Sequence, residues 1–173
     1  MRLSLAIALF LVSAATIGAN AAPQAKAKKP QANRAVQMVT VSGECNKLVH
    51  AGQPVEGCKN ILVNMNYSTG VSAYRFVTDR NILSFAGSGS HHIEQGADIV
   101  VQSVNRIILA ATDGSKAEDA KEDDAVGFCR FGDPTQKGAI IECLAHAQAG
   151  LYEGSFVTDG MPPKFGEFPV SSR

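Results

Sequence analysis

Two stretches, GVSAYRFVTDRN (residues 70–81) and GLYEGSFVTDGM (residues 150–161), each carry the letters FVTD six positions after a glycine. Phe and Val favour strands, and Asp is a good turn residue because its side chain can bond the backbone two residues on. The same Thr-Asp pair follows a third apolar run, at Thr112 and Asp113. We therefore interpret FVTD as a strand that ends in a turn, and not as a catalytic signature.

Eight short runs rich in β-branched and apolar residues extend outward from these two copies, with Gly, Asn and Asp between them. The predicted strands cover residues 36–41, 60–66, 71–78, 82–86, 99–110, 126–131, 139–145 and 151–157. Short strands with turn residues between them are typical of all-β domains. The sequence therefore predicts an all-β fold, an antiparallel sandwich or barrel of about eight strands.

Four cysteines predict two disulfide bonds, because an even number of cysteines is typical of exported, oxidised proteins, and residues 1–21 are interpreted below as an export signal. They are Cys45, Cys58, Cys129 and Cys143, and none belongs to a C-x-x-C pair. The segment FCRFGDPTQKGAIIEC (residues 128–143) reads as one hairpin whose turn runs from Asp133 to Gly138. This hairpin places Cys129 roughly opposite Cys143, near disulfide range.

The order of features is the same in both halves of the chain. Two cysteines with 12 or 13 residues between them precede a strand, a Gly-ended turn and a second strand that carries FVTD. This shared order favours the local pairings Cys45–Cys58 and Cys129–Cys143. It predicts two duplicated, disulfide-braced meanders, with chance similarity of two short strings as the alternative.

The first 34 residues differ in composition from the rest. Arg2, an apolar run at residues 3–15 and the small-x-small sequence Ala19-Asn20-Ala21 predict a signal peptide over residues 1–21, cleaved near Ala21. Residues 22–34 hold Lys and Arg but no acid, and predict a disordered basic linker. The alternative for this linker is weak contact with anionic surfaces of the cell envelope. We expect a periplasmic or secreted protein without a membrane span, because no later run approaches about 20 apolar residues.

Residues 35–173 are predicted to form a single β-domain with an acidic loop at 113–124 and an irregular C-terminal tail. This part holds 11 Lys and Arg against 16 Asp and Glu, a net charge of −5, which argues against a nucleic-acid partner. The acidic run DGSKAEDAKEDD is interpreted as an exposed connection, with a short helix at 116–123 as an option. A calcium site is the alternative there, although the run lacks the alternating acids of an EF-hand.

No motif predicts a catalytic site, so the sequence predicts no enzyme and no cofactor. Outside the acidic loop, the candidate metal ligands are His91, His92 and Glu94, in SGSHHIEQ. Adjacent strand residues point to opposite faces, so the two histidines could share a metal only in a loop. The main expectation is therefore no metal site, and the ligand-binding residues stay unknown at this level.

The pattern VSGEC…GC…LVNMNYSTG…YRFVTD, followed by FCRF…C and FVTDGMPPK, resembles small uncharacterised exported proteins of alphaproteobacteria over residues 39–164. The resemblance implies export, and it implies no activity or site residue. We expect a non-enzymatic periplasmic or secreted β-domain, a binding or structural module whose partner is an unknown protein or envelope component. The alternatives are a small-molecule or metal-binding extracytoplasmic domain and, third, an extracytoplasmic enzyme. A closed core would favour the non-enzymatic module, and a polar cavity would favour the small-molecule or metal-binding domain.

Overall fold

The fold is described from a computed structural model, over residues 35–89, 92–94, 99–112 and 119–166. These residues form eleven β-strands and no α-helix, and they all fall within one compact unit, Ala32–Arg173. The strands are β1 (Ala35–His50), β2 (Gln53–Pro54), β3 (Ile61–Tyr67), β4 (Val71–Val77), β5 (Asn81–Ser88), β6 (His92–Glu94), β7 (Val100–Ala111), β8 (Lys121–Phe131), β9 (Ile140–Ala147), β10 (Gly150–Thr158) and β11 (Lys164–Gly166). The signal peptide and linker predicted over residues 1–34 lie outside the described residues.

Eight of the strands form a closed antiparallel barrel. β1, β3, β4, β5, β7, β8, β9 and β10 follow one another in chain order, and β10 pairs with β1 to close the sheet. The three short strands extend this sheet, since β2 and β11 pair with β1 and β6 pairs with β7. The predicted all-β fold of about eight strands is confirmed, and of the two forms considered it is the barrel.

The lumen of the barrel is filled by side chains. Phe76, Phe85 and Phe156 are 0% exposed and Tyr152 is 1% exposed. A barrel of eight strands is just wide enough for its own side chains to fill. The ring of Phe76 reaches across the lumen to β10, where a Cβ on Gly154 would lie 2.5 Å from two ring carbons. A glycine at this position therefore makes room for the ring, and the described interior is a packed core.

Both predicted disulfide bonds are confirmed. Cys129 on β8 lies directly opposite Cys143 on β9, with a Cα–Cα distance of 4.0 Å, and both side chains are buried. Cys45 on β1 is bonded to Cys58 in the segment before β3, at a Cα–Cα distance of 5.9 Å. Two disulfide bonds indicate an oxidising, extracytoplasmic environment.

The predicted turn between β8 and β9 is built from the residues expected. Oδ1 of Asp133 accepts hydrogen bonds from the backbone N–H of Thr135 at 2.9 Å and from its hydroxyl at 2.7 Å. These bonds hold the pKa of Asp133 below its ordinary value, and the bond from the Thr135 hydroxyl makes the larger contribution. Gly138 takes a φ of 83°, which only glycine adopts readily. The turn fixes the register that brings the two cysteines together.

The two FVTD copies occupy comparable local positions, as the Phe and Thr of each are buried and the Asp of each is exposed. These residues are Phe76, Thr78 and Asp79 in the first copy and Phe156, Thr158 and Asp159 in the second. The first threonine closes its turn, because its hydroxyl oxygen accepts a hydrogen bond from the N–H of Asn81 at 2.9 Å. FVTD is therefore a strand end followed by a turn, as the sequence indicates.

The duplication of two meanders is not confirmed. β4 and β10, which carry the two copies, lie five places apart in the order of the eight barrel strands. Strand direction alternates around an antiparallel barrel, so an odd number of places means that β4 and β10 run in opposite directions. A rotation about the barrel axis cannot superpose one copy on the other.

Three stretches expected to be irregular are in fact strands. Residues 121–124 of the predicted acidic loop belong to β8, which corrects both the loop and the helix option there, because their backbone pairs with β7. The C-terminal tail contributes β11, which pairs with residues 38–40 of β1. β1 continues beyond Val41 to His50, because its second half pairs with β10. Residues 113–118 and 167–173 lie outside the described residues.

Candidate functional site

A second buried patch lies on the outer wall of the barrel, across β3, β4 and β5. Side chains alternate along a strand, so the neighbours of the lumen-facing Tyr74 and Phe85 face outward. Four such outward residues are only 1–3% exposed: Met65, Ala73, Ser84 and Ala86. None of the four belongs to the core cluster inside the barrel. β4 and β5 are thus buried on both faces.

The small residues of this patch are part of a groove. Ala73, Ala86 and the backbone of Gly87 lie along its floor, and Tyr67, Arg75 and Arg106 stand among its walls. The groove has a volume of about 410 Å³. Ligand pockets of small molecules usually measure about 300–1,000 Å³, so the outer groove is of a suitable size.

Arg75 is the least satisfied polar side chain of the outer groove. Its Nη2 donates a hydrogen bond of 2.6 Å to the hydroxyl oxygen of Tyr67, and its Nε is buried without a partner. None of the ion pairs between described residues includes Arg75. By contrast, Nη1 of Arg106 pairs with Oε2 of Glu122 at 3.1 Å. The guanidinium of Arg75 is therefore partly buried and has no acidic counterpart in the described part of the chain.

A polar cluster occupies one end of the lumen. Gln102 is 0% exposed, and its Nε2 donates to the carbonyl oxygen of Ser72 at 3.2 Å. Nδ2 of Asn64 donates to the Ser72 hydroxyl at 3.1 Å, and Nδ2 of Asn66 donates to Oδ1 of Asn64 at 2.9 Å. Burial raises the pKa of the nearby lumen residue Tyr74. These bonds join β3, β4 and β7 inside the barrel, so the cluster connects strands.

The opposite end of the barrel carries a cleft of about 660 Å³ between the β1–β2 segment and the β4–β5 turn. Asp79 at this end pairs with Lys59, so their charges are balanced. His50 packs edge-on against Tyr152, with ring centroids 5.3 Å apart. Burial, and then the carboxylate of Asp123, raise the pKa of Tyr152. Most residues around the cleft are exposed, and nothing among them pairs a nucleophile with a base.

The structure tests the predicted disulfide cysteines but not the predicted metal ligands. The four cysteines come together as expected, whereas the metal hypothesis for His91, His92 and Glu94 lies outside the described side chains. Within the described ranges, no group of three His, Cys, Asp or Glu residues could hold a metal ion.

Sequence reasoning missed the outer groove. One signal was present: Ala73 and Ala86 are small apolar residues at outward positions of strands, where polar residues are usual.

Comparison with known proteins gives no match: no family model fits the chain, and no curated protein or solved structure is significantly similar to it. The resemblance to exported alphaproteobacterial proteins therefore stays a prediction. Nowhere in the described ranges is there a helix long and apolar enough to cross a lipid bilayer. The fold is an eight-stranded antiparallel barrel with two disulfide bonds, in which strands that follow one another in the chain are paired. Its lumen is packed with side chains, and its outer wall carries a groove lined by two arginines.

Proposed function

We propose that the protein is an exported, non-enzymatic binding domain that holds a small ligand in the outer groove. The observation that carries this proposal is Arg75, whose Nε is buried without a partner and whose charge has no described counterpart. Leaving a buried donor unsatisfied costs about 1–3 kcal/mol, so such groups are rare in folded proteins. A bound ligand that accepts a hydrogen bond from this donor would explain why the unsatisfied Nε of Arg75 is retained.

The packed lumen supports a ligand on the outside of the barrel. Four aromatic side chains with at most 1% exposure occupy the space that a lumenal ligand would need. The outer groove needs no such displacement, because a space of about 410 Å³ is already open there.

Export is part of the same proposal. The signal sequence at residues 1–21 would direct the chain across the membrane, with cleavage near Ala21, and the basic linker at 22–34 would then precede the barrel. Disulfides at Cys45–Cys58 and Cys129–Cys143 support an oxidising compartment, either the periplasm or the exterior.

Native mass spectrometry of protein isolated from the periplasm tests both parts of the proposal. We expect a chain that begins at Ala22, two intact disulfides and a bound small molecule. The bound mass should disappear in Ala86→Phe, which fills the groove, and persist in Val126→Phe, which places the same ring at an 81% exposed position on another wall. A bound mass retained by Ala86→Phe, or a chain that keeps Met1, would contradict the proposal.

A second candidate function is contact with a protein partner through the outer wall of β8 and β9. Val126 is 81% exposed and Phe128 is 41% exposed, and Phe128 lies directly opposite Leu144. Exposed apolar patches often mark interaction surfaces. Under this alternative, Val126→Asp would abolish partner binding and Ala86→Phe would leave it unchanged.

A further inference from the structure

We propose that the ligand of the outer groove is a small organic carboxylate. Its carboxylate is held between Arg75 and Arg106, and its apolar part lies against Val71 and Ile108, above the floor formed by Ala73 and Ala86. This inference rests on the proposed function, and it adds the chemical class of the ligand.

The first reason is a surplus of hydrogen-bond donors in the groove. An arginine side chain has five N–H donors and no acceptor. Arg75 has one described bond, to Tyr67, and Arg106 has one, to Glu122. Because the Tyr67 oxygen accepts from Arg75, its own O–H remains a donor. A ligand that complements this set must supply acceptors, and carboxylates accept hydrogen bonds from arginine in a bidentate manner.

The second reason is the local charge. Arg106 pairs with Glu122 and lies directly opposite Asp124 on β8, so Arg75 is the cation of the groove without an acidic partner among the described residues. The chain from residue 35 onward carries 11 basic and 16 acidic residues, a net of −5, so the unpaired guanidinium of Arg75 is unusual on this acidic body. Arg75 is only partly exposed, and charges interact more strongly where water is partly excluded. The groove therefore favours an anion over a neutral or cationic ligand.

The third reason is the apolar floor. Ala73 and Ala86 underlie the groove with at most 2% exposure each, and the half-buried side chains of Val71 and Ile108 border it. Contact with methylene groups would remove the accessible apolar surface of Val71 and Ile108 from water, which favours binding. An inorganic anion would leave the floor uncovered. The combination of charge and floor selects an organic acid with a short aliphatic part.

The test is a titration of the oxidised, exported protein with sodium hexanoate, followed by two-dimensional ¹H–¹⁵N NMR. We expect saturable shifts at the amides of Ala73, Ala86 and Gly87. Hexanamide, which is neutral and nearly the same shape, should bind roughly tenfold more weakly, since a charge-assisted bond contributes about one factor of ten. Inorganic phosphate should bind more weakly than hexanoate, because it cannot use the floor.

Three arginine variants provide the matched comparison. Arg75→Gln should weaken hexanoate binding roughly tenfold, and Arg75→Lys should give an intermediate affinity, because the charge remains but the planar fork is lost. Arg130→Gln makes the same charge change at a paired arginine beside Glu142 and should leave the affinity unchanged. An unaltered spectrum for lumen residues verifies that each variant is folded.

The outcomes separate the inference from the proposed function. Equal binding of hexanoate and hexanamide at the groove would overturn the carboxylate and leave the groove as a binding site. Equal binding of phosphate and hexanoate would overturn the organic class. If none of the three probes shifts the groove amides, the inference fails, and the bound mass in native spectra then decides the proposed function separately.

Discussion

Gly154→Ala tests directly whether the lumen is filled. The added methyl group would lie 2.5 Å from the Phe76 ring, whereas ordinary contact begins near 3.4 Å, so the ring must retreat by about 0.9 Å. Overpacking of this kind costs about 1–3 kcal/mol. Alanine is better than glycine in a strand interior by about 0.5–1 kcal/mol, which offsets part of the cost. We therefore expect the free energy of unfolding to fall by about 1–2 kcal/mol.

The assay is urea unfolding of a double-mutant cycle. Phe76→Leu alone should cost about 1–2 kcal/mol, because it removes buried ring atoms. In combination with Gly154→Ala, the new methyl group occupies space that the ring has left, so the double variant should be more stable than the sum by about 1 kcal/mol. Phe131 packs on Tyr74 instead, and Phe131→Leu with Gly154→Ala should be additive within about 0.5 kcal/mol. Additive effects for Gly154→Ala and Phe76→Leu would refute the contact across the lumen.

Three further predictions concern the disulfide, a buried phenol and the groove arginine. Replacing Cys129 and Cys143 by Ala should lower the free energy of unfolding by about 3 kcal/mol, since the bridge closes a loop of about 15 residues; an unchanged urea midpoint would contradict this. Burial raises the pKa of Tyr74 above its ordinary value near 10, so stability should fall by about 1.4 kcal/mol per pH unit above pH 10. Tyr74→Phe should make the slope in alkaline denaturation shallower by that amount, while Tyr152, whose pKa is also raised, keeps its own contribution; an unaltered slope would show that Tyr74 ionises freely. Arg75→Met should leave thermal stability unchanged or higher by up to about 1 kcal/mol while hexanoate binding is lost, whereas a loss above about 2 kcal/mol would make Arg75 structural.

The strands were predictable because local alternation and turn residues determine them. The hairpin from Phe128 to Cys143 shows this best, since the bonds to Asp133 and the φ of Gly138 follow from residue chemistry alone. Closure of the barrel was not predictable in this way. It depends on pairs such as Gly43 with Thr158, which are far apart in the chain and leave no local pattern.

Residues 121–124 show why an acidic strand was mistaken for a loop. The sequence KEDD has no apolar alternation, yet its backbone pairs with residues 106–109 of β7. Glu122 faces the outer wall, where Arg106 neutralises its charge. A charged strand of this kind is stable because its backbone hydrogen-bonds to a neighbouring strand. A short stretch of sequence does not show which strand that is.

The outer groove could be predicted only in part. Small residues at outward positions were a visible signal in β4 and β5, because polar side chains are usual there. The state of Arg75 was not visible, since it depends on Tyr67 in the preceding strand and on the absence of a described acidic partner. Arg106 joins the same groove from β7, 31 positions further along the chain. Only the tertiary fold brings these two guanidinium groups together.

The most direct test of the account locates a bound ligand on one side or the other of the barrel wall. Intermolecular NOEs would be measured between unlabelled hexanoate and methyl-labelled protein at saturating ligand. The account predicts NOEs from the hexanoate methylene protons to the methyl groups of Ala73 and Ala86, which face outward. NOEs to Val104 and Ala145, which are buried in the core cluster inside the barrel, would show that the ligand enters the lumen and would contradict the account.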